Sequence, residues 1–204
     1  MFILSEFKDI IRTPPSQFDQ TIDSCIAQSL NQKLSNKVFP NVGLCMMLYD
    51  ITKIEDSVII PGDGASHTKV EFRYVVFRPF VSEIIIGKIR SCSKEGVHVT
   101  LGFFEDILIP PEGLQQPSRF DEKEQVWVWE FDNEGDKHDL FMDPGDKIKF
   151  RVTSELFTET SPISCPDIHD GAPGSEVDTP KIPYSVTASI NEPGLGILSW
   201  WQGS

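Results

Sequence analysis

Apolar residues return at every fourth position through Phe18, Ile22, Ile26, Leu30 and Leu34, a spacing that predicts a helix with one buried stripe. The turn-forming pair Pro14-Pro15 precedes it, and Ser16 with Asp19 supplies a weak capping box. Asn36 and Pro40-Asn41 end it. The period then changes to two. Residues 43–55 read as a strand, and 57–64 as a short strand entering a Gly-Asp-Gly turn. In 68–80, Val70, Phe72, Tyr74 and Val76 alternate with Lys69, Glu71 and Arg73, the pattern of a half-buried strand. A helix laid on a small antiparallel sheet accounts for residues 1–80.

Residues 81–204 carry no helical period. The segments EIIIGKIRSC, GVHVTLGFF, DILIP, QVWVWEFD and DKIKFRVTSELF follow one another with Gly, Pro and acidic turns between them. Five such strands predict a small closed barrel, which makes the whole chain α+β. Residues 158–183 are rich in Pro, Ser, Thr, Gly and acids, with too little apolar content to offset ordering, and predict a long disordered loop. One or two further strands follow from Tyr184.

Charge changes this picture by its distribution. Residues 1–80 hold 8 Lys and Arg against 9 Asp and Glu, whereas 81–204 hold 10 against 22. Residues 121–146 alone contain ten acids and two bases. A net charge of −13 argues against a general polyanion binder, because phosphate affinity comes from released counterions. Nucleic acid would have to meet a selected face.

That face can be read from the alternation. Ile85, Gly87 and Ile89 fall on one side of the first barrel strand, and Lys88 and Arg90 on the other. In the next, Val97, Val99 and Leu101 oppose His98 and Thr100; later, Ile148, Phe150 and Val152 oppose Lys147, Lys149 and Arg151. The outward set gathers Lys88, Arg90, His98, Lys147, Lys149 and Arg151, with Lys94 flanking and Phe103 or Phe104 nearby. Basic side chains with interleaved rings on a barrel face are what tracks a single strand. Ordinary solubilising positions would look the same.

Catalytic chemistry finds no such pattern. The histidines 67, 98, 138 and 169 do not cluster, and no GxSxG, HExxH or phosphate-loop string occurs. Gly62-Asp63-Gly64 lacks the Lys and helix of a phosphate loop and reads as a tight turn. Cysteines 25, 45, 92 and 165 stand too far apart for a metal motif and read as reduced thiols of a nuclear or cytosolic protein. No cofactor, metal site or membrane span is expected. Trp127, Trp129 and Phe131 share one strand phase, and Trp200-Trp201 suggest a protein contact if exposed.

MFILSEFKDIIRTPP, PGDG at 61–64, VVFRPFVSEIIIGKI at 75–89 and the following KEGVHV together resemble the polymerase stalk family. That family comprises the archaeal RNA polymerase stalk protein of this type and the seventh-largest subunit of RNA polymerase II. WVWEF at 127–131 and YSVTASINEPGLGILSWW are most similar to its RNA polymerase III branch. The resemblance implies a ribonucleoprotein-like tip domain over 1–80 and an oligonucleotide-binding (OB) barrel of the S-one type over 81–204. It also implies a nuclear, non-catalytic subunit clasped by a smaller helical partner, with its tip docked near the clamp of the polymerase core. Its barrel would meet initiation factors and nascent RNA. By resemblance, Pro14, Pro15, Gly62, Asp63 and Gly64 match the docking turns, and Phe77, Arg78, Pro79 and Phe80 the domain junction. Glu95 and His98 stand where such barrels carry aromatics, which favours backbone contact over base stacking.

Two rivals remain at this point. A free-standing RNA-binding module of translation or RNA decay would use the same barrel. An enzyme would use the 121–146 acids to hold a metal.

Overall fold

The apolar N-terminal run folds as a strand, which the sequence pattern did not flag. β1 (Phe2–Thr13) presents Ile3, Phe7 and Ile11 to one side and Phe2, Leu4 and Ile10 to the other. With apolar residues on both faces, no clean alternation marks it. The computed structural model describes residues 1–133, 136–159 and 182–201, and the chain divides into two units, Met1–Pro79 and Phe80–Ser204.

In the first unit, the helix α1 (Ile22–Leu34) follows a short 3-10 turn at Pro15–Gln17. The helix begins later than its apolar period suggested. Thr21 occupies the N-cap without a side-chain hydrogen bond, and Phe18 and Ile22 are half or more exposed. The chain continues through β2 (Val38–Phe39), β3 (Gly43–Ile54), β4 (Val58–Ile59) and β5 (Ser66–Phe77). Strand order is β1-β5-β3-β2, with β4 also on β5 and all pairs antiparallel.

α1 covers one face of this sheet. Ile26, Leu30 and Leu34 pack with Ile11, Cys45, Val70, Phe72, Tyr74 and Val76, each large aliphatic side chain contributing about 1.5–3 kcal/mol by burial. The Asn31 side-chain oxygen accepts from the Tyr74 hydroxyl at 3.0 Å and the Leu48 amide at 3.1 Å, tying helix to sheet. Burial pushes the Cys45 thiol up to about 11, so it stays protonated. β1 is an edge strand, and Asp9 blunts it: one carboxylate oxygen takes the Ile10 amide and the other takes Lys33 of the helix.

The second unit contains β6 (Ile84–Ser93), β7 (Gly96–Thr100), β8 (Ile107–Ile109), β9 (Ser118–Asp121), β10 (Val126–Asn133), β11 (Asp136–Met142), β12 (Lys147–Phe157), β13 (Tyr184–Ser189) and β14 (Gly196–Ile197). β6, β7, β8, β13 and β12 close a five-stranded barrel in that order, with β8 and β13 parallel and the other pairs antiparallel. This is the OB arrangement. Its interior holds Ile85, Ile89, Val97, Val99, Ile107, Ile109, Ile148, Phe150, Val152, Val186 and Ala188. Gly96 turns β6 into β7 at φ 141°, where an added Cβ would lie 2.1 Å from the Ile109 carbonyl oxygen.

One expected stave is misassigned by the sequence pattern. Residues 126–133 do not join the barrel; β10 is the centre of a separate three-stranded sheet, β11-β10-β9, inserted between β8 and β12. The fifth stave is β13. Val126 through Trp129 are all buried, so both faces of β10 are covered at that end and its period misleads. The loop expected at 158–183 lies, except for its ends, outside the described residues.

Candidate functional site

The residues matched to the docking turns come together at one end of the tip sheet. Thr13, at the end of β1, pairs with Ser66 at the start of β5, which sets the Pro14-Pro15 turn beside the 61–65 turn. A Cβ on Gly64 would stand 3.9 Å from the Pro15 ring. Gly62 and Gly64 have φ values of 93° and 70°, which L side chains rarely adopt. Between them, Asp63 accepts from Arg12 Nε at 2.9 Å and Nη2 at 2.6 Å, and lies 2.9 Å from His67 Nε2. These hydrogen bonds, Arg12 foremost, hold its carboxyl well below the usual carboxylate range. Asp63 therefore braces the turn from inside.

Beside this turn, Val58, Ile59 and Ile60 are each roughly half exposed or more. They are absent from the sequence-derived set of site residues. The signal was available: three apolar residues directly before PGDG, on a two-residue strand, cannot all face one core. Exposed apolar surface of this kind is a feature of interaction sites.

Of the residues matched to the junction, Phe77 is buried at the end of β5 and meets Phe2 edge-on at 5.8 Å. The Arg78 amide donates to the Met1 carbonyl, and its Nη1 to the Asn41 carbonyl at 2.6 Å. Both belong to the tip unit, as does Pro79. The Phe80 amide donates to Glu83 in the second unit.

On the barrel, the expected basic face divides. Lys88 and Lys147 are register partners across β6 and β12, and Thr100 is the partner of Lys88 across β7. Together with Ile86, Leu101, Gly102 and Leu198 they line an open groove of about 410 Å³. Lys149 lies next along β12, opposite Ile86. Arg90 is held by Glu105 at 3.0 Å, Lys94 by Glu122 at 2.6 Å, and Arg151 by Glu192 at 2.7 Å. Arg151 also donates to the Ser82 carbonyl, so its guanidinium is engaged within the barrel unit. His98 bonds the Ser93 hydroxyl at 3.2 Å. Positions in the β-sheet pattern could not reveal these acids, because they lie in turns distant in sequence.

The aromatic candidates separate as well. Phe104 is buried against Tyr184, which stacks on Phe157 at 4.4 Å, whereas Phe103 is 38% exposed. Among the described residues, no three His, Cys, Asp or Glu side chains converge as metal ligands, and no helix is long and apolar enough to cross a membrane.

A helix-backed sheet joined to an OB barrel is the build of an accessory subunit in a nucleic-acid machine. Comparison with known proteins makes this specific. The family described as RNA polymerase III subunit Rpc25 matches residues 83–201, and the SHS2 domain found in the N terminus of Rpb7p, Rpc25p and MJ0397 matches residues 8–64. The chain belongs to the RNA polymerase III subunit Rpc25 family. It is 57% identical over 204 residues to the DNA-directed RNA polymerase III subunit RPC8 of Bos taurus, covering 100% of both chains. The Schizosaccharomyces pombe subunit rpc8 is 40% identical, with 99% of this chain and 100% of that one covered. The Rpo7 subunit of Saccharolobus solfataricus RNA polymerase is 27% identical, with 98% and 97% covered.

Proposed function

We propose that this chain is a non-catalytic subunit of DNA-directed RNA polymerase III that forms the peripheral stalk with a smaller helical partner. The observation that carries this is the full-length 57% identity to a protein named as that polymerase's subunit. The tip domain docks on the polymerase core near the clamp through the 14–15 and 62–64 turns, with Val58, Ile59 and Ile60 adding apolar contact. The barrel faces initiation factors and nascent RNA. Its place of action is the nucleus.

The chemistry of the barrel suits an auxiliary grip. Lys88, Lys147 and Lys149 can meet phosphates along the groove, each contact releasing counterions. Neither Glu95 nor His98 offers a broad face for a base, so little stacking energy is added. Contact of this kind holds a transcript that the large subunits have already produced.

Affinity purification of the tagged chain from nuclear extract, read by mass spectrometry, tests the assignment. The expected result is co-recovery of the large polymerase III subunits and one small helical protein in equal amounts. Recovery with ribosomal or RNA-decay complexes, and without polymerase, would overturn it.

A further inference from the structure

On the sheet inserted into the barrel, β10 presents Trp129 and Phe131 on one face, with Leu140 and His138 as their β11 register partners. The final 3-10 turn, Leu198–Trp201, brings Trp200 and Trp201 to the same place. The result is an open aromatic pocket of about 430 Å³ in the second unit, lined by different residues from the basic groove, which takes only Leu198 from this turn.

The walls are built in advance. Trp129 meets Phe131 at 5.0 Å and 61°, and Trp200 at 5.2 Å and 45°. Trp201 Nε1 donates to the Leu195 carbonyl at 3.0 Å, which fixes its indole while leaving the residue 42% exposed. Gly196 makes room for Trp200: an added Cβ would stand 2.8 Å from that ring. Rings held in place by backbone hydrogen bonds and a required glycine lose little freedom on binding.

The surroundings select the occupant. Asp139 lines this pocket, whereas its register partner Glu130 stands on the alternate phase of β10 from Trp129 and Phe131, and Arg119 bridges the two carboxylates. The 121–146 segment carries ten acids against two bases. Phosphate-bearing ligands and anionic membranes are repelled here, and a second copy of this chain would bring the same negative charge. Electron-rich ring faces inside a negative field favour a cation. We propose that the pocket formed by Trp129, Phe131, Trp200 and Trp201 receives a cationic side chain, arginine foremost, from a basic segment of a partner protein. The planar guanidinium stacks on the indole faces, and the acids around it steer the segment in.

The four indole N–H signals in a nitrogen–proton spectrum of the 204-residue chain report the site directly. The probes are an end-blocked Gly-Arg-Gly-Arg-Gly peptide, its citrulline counterpart and decauridylate. The arginine peptide is expected to move the signals of Trp129, Trp200 and Trp201, while Trp127, bonded to the Ser93 carbonyl, stays in place. Citrulline in place of arginine, or Trp201→Ala, weakens binding by about fivefold or more. Phe131→Leu, which keeps an apolar wall and removes a ring, gives a second reading should Trp201→Ala fail to fold. Unmoved signals at millimolar peptide, equal binding of the citrulline peptide, or tighter binding of decauridylate at these same indoles would each overturn the proposal.

Discussion

Lys88 and Lys147 stand directly opposite each other across β6 and β12. Like charges so placed repel, and no acid among the described residues pairs with either. The arrangement is unfavourable in the free protein and relieved by an anion between them. Lys147→Glu should therefore separate two properties. Thermal unfolding should show a gain of about 0.2–1 kcal/mol as the repulsion becomes an attraction, while crosslinking of nascent RNA to the assembled polymerase should fall. Unchanged crosslinking would remove the groove from the RNA path.

Arg151 should behave in the opposite way. Its ion pair with Glu192 and its bond to the Ser82 carbonyl tie β12 to two turns. Arg151→Ala is expected to cost about 1 kcal/mol in barrel stability, with RNA crosslinking unaffected. Chemical denaturation and the same crosslinking assay would check both halves.

Asp63 gives the 61–65 turn an acid limit. Its carboxyl is held below its unfolded value of about 3.9 by Arg12 and His67. A lowered folded pKa contributes stability above the unfolded value, and that stability is lost as pH falls through the folded one. The amide signals of Gly62 and Gly64 should stay constant from neutrality to mild acid and shift only below the ordinary carboxylate range. Asp63→Asn should abolish that transition and loosen the turn at every pH above it.

The adjacent phenylalanines offer a contrast within one turn. Phe104→Ala removes a ring packed on Tyr184 in the core and should cost about 3–5 kcal/mol. Phe103→Ala should cost under about 1 kcal/mol, because much of that ring already meets solvent. Melting temperatures of the two variants would show the difference.

How far the sequence reveals this molecule depends on how each face is covered. β5 was legible because Val70, Phe72, Tyr74 and Val76 face α1 while Lys69, Glu71 and Arg73 face away. β1 was not, since apolar side chains lie on both its faces; β10 was legible as a strand, but with Val126 to Trp129 all buried its pattern could not show that it belongs to a separate sheet. The helix period ran one turn too early because Phe18 continues the spacing while lying before the helix and half exposed. At the candidate sites, alternation placed the lysines on the right strands. It could not show that Glu105 and Glu192 neutralise two of the arginines, because those contacts cross 15 and 41 residues of chain. The clasp between Arg12 and Asp63, 51 residues apart, was hidden for the same reason.

The last stave of the barrel is also the last long strand to emerge. Until Tyr184–Ser189 has been made, β8 and β12 present bare rims, and rims of that sort adhere to whatever strand they meet. A nascent copy abandoned before this point is a leaking cask, and one carried past Ser189 is sealed.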